Sequence, residues 1–138
     1  MRQALCCALL GAALVACGDD GRSASPAAVG HTPPALETAE MEPLVREMLD
    51  ARTAAVVERP GDAAAWEALG LALDAHFLLE EAERCLAVAI ELDPTRFEAV
   101  YDHAVLGTFL PRDAADVTAR FRRANALRPD YAAGFARL

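Results

Sequence analysis

Large and small apolar residues alternate at helical spacing between residues 63 and 96 of this 138-residue chain. Positions three and four apart share one face of a helix, so the pattern predicts two helices over 63–75 and 79–92. The small residues predict that these antiparallel helices lie close together, and the proline ends the pair. The large residues are Trp66, Leu69, Leu73 and Leu86, the small ones are Gly70, Ala82 and Ala89, and the proline is Pro94.

A further amphipathic helix is predicted before this pair, over residues 43–58. Apolar residues recur there at spacings of three and four. Pro43 suits the first turn, where a missing backbone N–H costs nothing, and Pro60-Gly61 follows the predicted end.

A second and weaker pair is predicted over 97–130. Thr95 and Glu98 have the spacing of a capping box, in which each side chain accepts a backbone N–H of the first turn. Asp113 is predicted to cap the later helix of the pair. The sequence therefore predicts an all-α domain over 41–138.

This pattern resembles the tetratricopeptide repeat, a family in which helix pairs of about 34 residues stack side by side. The resemblance implies a short right-handed superhelix of antiparallel helix pairs with a concave face. Its parts are the second helix of a leading unit at 43–58, a complete repeat at 63–96, a weaker repeat at 97–130 and a partial repeat at 131–138.

Two residues depart from the family pattern. Phe77 stands in the corner between the helices of the complete repeat, where the family often has glycine, and we expect it to open that corner. His103 stands where leucine is usual, and we interpret it as a packing residue rather than a ligand.

The resemblance also implies a peptide-binding groove along the first helix of each pair. A basic or apolar peptide would complement this set, and the alternatives are a groove that is merely solvated or one filled by the chain's own tail. The candidate groove residues are Glu67, Leu71, Asp74, Glu98, Tyr101, Asp102, Val105, Thr108 and Phe109. An open-end contact is predicted at Tyr131, Phe135 and Leu138, where a partner or a second copy of the chain would dock.

The first sixteen residues are predicted to be a signal peptide. Residues 4–16 are apolar but too few to span a bilayer as a helix. The run ends in Leu14-Val15-Ala16-Cys17, which resembles the lipobox of bacterial lipoproteins. That resemblance implies cleavage before Cys17 and its modification with acyl chains such as palmitate; the alternative is an ordinary signal that happens to contain a cysteine. By the same resemblance, Gly18 after the cysteine implies the outer membrane rather than the inner membrane, on the periplasmic side.

Residues 17–40 are predicted to be the lipidated cysteine and a flexible linker, because they are rich in glycine, serine and proline without periodic apolar residues. His31 is interpreted as a solvated residue of this linker.

Composition excludes several function classes. The net charge of −8 argues against nucleic-acid binding, which requires a basic face. No zinc, haem, hydrolase or phosphate-loop motif is present, so we expect no catalytic residue, no metal and no cofactor. Cys85 is interpreted as a small apolar helix residue.

These features together predict a lipid-anchored interaction module of the bacterial cell envelope that binds a protein or peptide. Two alternatives remain open at this point. The chain could be the N-terminal part of a longer repeat lipoprotein without independent activity, or the recruiting subunit of an envelope enzyme complex.

Replacing Cys17 tests the predicted anchor. Cys17→Ser should abolish signal cleavage and move the protein out of the detergent-extracted lipoprotein fraction, because serine has no sulfur to carry the acyl chain. The measurement is membrane fractionation with mass spectrometry of the mature N-terminus, and Cys85→Ser is the matched control. Unchanged processing and lipidation in Cys17→Ser would contradict the lipoprotein interpretation.

Overall fold

The computed structural model describes residues 30–131, which form five helices and no strand. The all-α prediction is therefore confirmed for this part of the chain. Every extensive interface joins helices that are consecutive in sequence, and short connections make such neighbours antiparallel. The helices are α1 (Pro43–Glu58), α2 (Ala63–Ala75), α3 (Leu79–Leu92), α4 (Phe97–Leu106) and α5 (Ala114–Leu127).

The packing of α2 on α3 is the most extensive interface of the described residues. Gly70 lies where the two helices approach closely. A Cβ atom at this position would lie 2.9 Å from Leu86 Cγ and 3.3 Å from the Ala82 carbonyl oxygen. The predicted large residues all lie in the core, and Trp66 also donates its indole N–H to the Pro60 carbonyl at 2.9 Å.

Side-chain caps start three of the five helices. The Asp113 carboxylate accepts from the backbone N–H of Ala115, as predicted. The Asp62 carboxylate accepts from the backbone N–H groups of Ala64 and Ala65. Glu42 caps α1 in the same way, with Pro43 as the first helical residue. Each cap satisfies donors that have no partner within the helix.

The predicted capping box at the start of α4 is wrong. The N-cap residue is Arg96, and no side chain caps this helix. Thr95 instead donates both its hydroxyl and its backbone N–H to Asp93 Oδ1, at 2.7 Å and 3.0 Å. Thr95 is therefore part of a turn formed with Asp93, one residue before the N-cap position, and its side chain caps no helix.

The corner between α2 and α3 is closed rather than opened. The N–H of Leu78 donates to the Leu73 carbonyl at 3.0 Å, and the N–H of Phe77 donates to the Asp74 carbonyl at 2.9 Å. This is the usual termination of a helix by a left-handed residue, a position that favours glycine. Phe77 takes the left-handed conformation itself, with φ of 60°, and its side chain is 86% exposed.

Residues 30–40 are the part of the predicted linker that the structure describes. They have no helix or strand, but they lie against the helices. The His31 ring meets the Trp66 ring edge to face, with 6.1 Å between centroids, so His31 is not a freely solvated residue. Leu36 and Met41 pack on the core. Two apolar residues five positions apart form no period that a sequence pattern could reveal. Residues 31–41 are called the strap below.

Replacing Phe77 with glycine should stabilise the fold. Glycine adopts positive φ without a Cβ penalty, and an exposed phenyl ring contributes little packing. The free energy of unfolding of Phe77→Gly should therefore rise by about 1 kcal/mol. Urea denaturation measures the change, and Phe77→Ala serves as the control, since it removes the ring but keeps the Cβ. Equal stability of the two variants would contradict a strained backbone at this position.

Candidate functional site

The predicted groove residues lie on α2, on α4 and in the turn that follows α4. Glu67, Leu71 and Asp74 are spaced by four and three along α2, and Glu98, Tyr101, Asp102 and Val105 are spaced similarly along α4. Such spacing places each set on one helical face. Leu71 and Phe109 are large apolar side chains that remain 39% and 68% exposed.

Electrostatics shows that the carboxylates of the two helices lie near one another. Burial, together with the negative charges of Asp74, Glu67 and Glu98, raises the pKa of Asp102 to about 6. A carboxyl group responds in this way when its anion loses water and faces like charges. The face formed by α2 and α4, which is called the acidic face below, therefore carries mutually repelling charge.

Two of these carboxylates are engaged by arginines. Arg96, the N-cap residue of α4, donates its Nε–H to Glu67 Oε2 at 2.6 Å, and its Nη2 also contacts that oxygen. Arg128 Nη1 lies 3.4 Å from Glu98 Oε1. Glu67 is only 6% exposed, so it connects α2 to α4 rather than lining an open groove.

Asp74 and Asp102 are the remaining carboxylates of the acidic face. Neither has an ion-pair partner within residues 30–131. They lie on the same helices as Leu71 and Val105, and Thr108 follows in the turn. The Thr108 hydroxyl donates to the Val105 carbonyl at 2.7 Å, so only its oxygen lone pairs are left to bind a ligand.

Tyr101 and Tyr131 belong to an aromatic cluster. The Tyr101 ring stacks on Phe97 at 5.7 Å and meets Tyr131 edge to face at 5.1 Å, and the Arg128 guanidinium lies 4.5 Å from the Phe97 centroid. Aromatic pairs of this geometry add packing energy beyond their buried area. Tyr101, predicted as a groove residue, thus takes part in packing. So does Tyr131, predicted for the open end, while Phe135 and Leu138 lie outside the described residues.

A charged cluster joins α3, α5 and the turn before α5, and sequence reasoning missed it. Glu83 Oε2 accepts from Arg112 Nη2 at 2.6 Å, and Glu83 Oε1 accepts from Arg120 Nη1 at 2.6 Å. Arg120 also pairs with Asp116 at 2.7 Å. The hydrogen bond from Arg112 is the main reason that the pKa of Glu83 falls to about 2, although burial opposes it.

The spacing of glutamate and arginine in the sequence could have predicted the ion pairs of Glu67 and Glu83. Arg96 follows Glu67 by 29 residues, and Arg112 follows Glu83 by the same interval. The recurrence of glutamate and arginine at one separation in a repeating chain could have indicated contacts between neighbouring helix pairs.

His103 lies beside this cluster, with Nε2 3.2 Å from Arg120 Nη1. A guanidinium only donates hydrogen bonds, so Nε2 is the acceptor and the ring proton is on Nδ1. Burial, followed by the charge of Arg120, lowers the pKa of His103 to about 4. A neutral imidazole held in this way agrees with the interpretation of His103 as a packing residue.

No other arrangement in residues 30–131 indicates a catalytic or metal centre. A cleft of about 330 Å³ lies among α3, α4 and α5. Its polar lining consists of His103, Asp116 and Arg120 beside Glu83, together with Glu91 and Arg123. The described residues contain no group of three or more His, Cys, Asp or Glu side chains that could hold a metal ion. None of the described helices is long and apolar enough to cross a membrane.

Comparison with known proteins adds no family assignment. No protein-family model and no curated protein sequence matches the chain.

The acidic face makes the stability of the fold depend on Asp102. Its pKa is raised from 3.8 to about 6 in the folded protein, so ionisation of Asp102 lowers the free energy of unfolding. This loss is complete above pH 6 and absent below pH 3.8. Asp102→Asn should therefore raise the free energy of unfolding at pH 8 by roughly 1–2 kcal/mol, allowing for solvent screening of a half-buried group. The gain should vanish near pH 3.5.

Urea denaturation at both pH values measures this effect. Asp50→Asn, on an exposed face of α1, is the matched control and should change stability little at either pH. A gain for Asp102→Asn that is the same at both pH values would contradict the electrostatic explanation.

Proposed function

We propose that the chain is a lipid-anchored interaction module of the tetratricopeptide type. In this proposal Cys17 carries the acyl chains in the bacterial envelope, with the helices facing the periplasm at the outer membrane. The acidic face binds a partner segment. Support comes from the repeat spacing over 63–96, the lipobox residues and the succession of antiparallel helix pairs.

The observation that carries the proposal is the unneutralised charge of Asp74 and Asp102 on the acidic face. Desolvated like charges are unfavourable in the free protein, as the raised pKa of Asp102 indicates. A cationic segment that approached them would relieve the repulsion and gain two charge-assisted contacts.

Apolar residues on the same face define the partner further. Leu71 of α2 and Phe109 in the turn after α4 are both exposed, so they contribute little to the packing of the folded monomer. Exposed apolar side chains beside unpaired charge are typical of interaction surfaces. The partner segment is therefore amphipathic, with arginine or lysine facing the aspartates and aliphatic residues on Leu71 and Phe109.

A defined peptide pair tests this function. The probes are a synthetic amphipathic peptide of arginine and leucine and its counterpart with glutamate in place of arginine. We expect the basic peptide to bind and the acidic one not to bind. Binding to Asp74→Asn/Asp102→Asn should be weaker by about tenfold or more, since two charged contacts are lost. Fluorescence anisotropy measures the dissociation constants.

The matched control removes two negative charges elsewhere. Glu47→Gln/Asp50→Asn on α1 makes the net charge less negative by the same amount but leaves the acidic face intact, so it should keep near wild-type affinity. Equal weakening in both double variants would show a non-specific charge effect and would contradict a site on the acidic face.

A further inference from the structure

The strap covers part of the α2–α3 pair, at residues other than those of the acidic face. Thr32 and Pro34 lie over Trp66, Cys85 and Val88, and a cavity of about 50 Å³ remains between them. Cys85 lines the same cavity as Thr32 and Pro34 and is fully buried.

The strap is held by side-chain contacts and not by backbone hydrogen bonds to the helices. Arg46 of α1 donates to the carbonyl oxygens of Thr38, Ala39 and Met41, at 3.1, 2.9 and 3.1 Å. Within the described residues, the only backbone hydrogen bond of the strap joins Met41 N–H to the Thr38 carbonyl, inside the strap itself. No helix hydrogen bond needs to break when the strap leaves.

The two halves of the strap are attached differently. Near its start, His31 Nε2 lies 3.4 Å from Glu91 Oε2 and its ring touches Trp66. Leu36 and Met41 supply the apolar contacts further along. Segments with few buried contacts and no shared backbone hydrogen bonds open locally at a lower free energy than global unfolding.

We propose that the strap is a displaceable occupant of a docking groove on α2 and α3, and that a partner's extended segment of the same chemistry takes its place. The partner segment would share three features with the strap. It has a proline over Trp66 and Val88, an aliphatic side chain at the position of Leu36, and backbone carbonyl groups that accept from Arg46. The proposal depends neither on the lipid anchor nor on the acidic face, so its failure is distinguishable from theirs.

Cys85 reports on the occupancy of the groove. Its thiol is shielded while the strap is in place, and burial raises its pKa to about 12. Alkylation therefore requires that the site open, because the thiolate is the reactive form. Peptide mass spectrometry reads modification at Cys85 in the full chain without interference from the other cysteines.

The first experiment compares iodoacetamide reaction rates at Cys85. Arg46→Ala removes three hydrogen bonds to the strap, and Leu36→Ala removes its apolar contact. Each should speed alkylation by about tenfold or more, while the urea midpoint changes little. Arg52→Ala, an exposed arginine of the same helix, is the control and should react as the wild type does. Rates that rise only in proportion to the loss of global stability would overturn a displaceable strap.

The second experiment tests the groove itself. A synthetic peptide of residues 30–41 is added to the Leu36→Ala protein, whose groove and Arg46 are intact. It should restore protection of Cys85, whereas the same peptide with Leu36→Ala should not. If the two peptides act equally, or if neither slows the reaction, the groove does not accept an extended segment in trans and the proposal fails.

Discussion

The close approach of α2 and α3 at Gly70 is the constraint on which the rest of the fold depends. With no side chain at this position, the Leu86 side chain and the Ala82 carbonyl lie where a larger residue would clash. Glycine lowers the helix propensity of α2 by about 1 kcal/mol, so tertiary packing stabilises this helix more than propensity does. Trp66 and Leu73 then fill the core on the same helix, and α1, α4 and the strap pack around it.

Recurring ion pairs connect this central pair to the next one. Glu67 binds Arg96 at the start of α4, and Glu83 binds Arg112 in the turn before α5. Such pairs add little net stability, because desolvation offsets their attraction, but a partner left unpaired is costly. They therefore penalise packings that would separate the helix pairs. The acidic face differs, since Asp74 and Asp102 have no such ion-pair partner in residues 30–131.

Several elements were predictable because their signals are local. Pro43, Asp62 and Pro94 act on neighbouring backbone groups, and the helices begin and end where those residues indicate. The capping signal at Thr95 is also local but predicted the wrong cap, because Thr95 bonds to Asp93 and the helix begins after Arg96. At Phe77 the surrounding structure overrides the local preference. The hydrogen bonds of the corner hold this residue in the left-handed conformation, which phenylalanine disfavours.

The sequence by itself determined the helical class, the pairing of α2 with α3 and the residues of their core, because apolar periodicity and small residues act over a few turns. The tertiary structure decided which charges are neutralised and which are not. Glu67 and Glu98 are near arginines only because α2, α4 and the end of α5 come together, while Asp102 is desolvated beside Asp74. It also decided that residues 31–41 lie on the helices. Arg46 and Leu36 hold this strap, and their positions form no periodic sequence pattern that could have predicted it. Contacts between residues far apart in the chain depend on packing geometry, which local pattern does not encode.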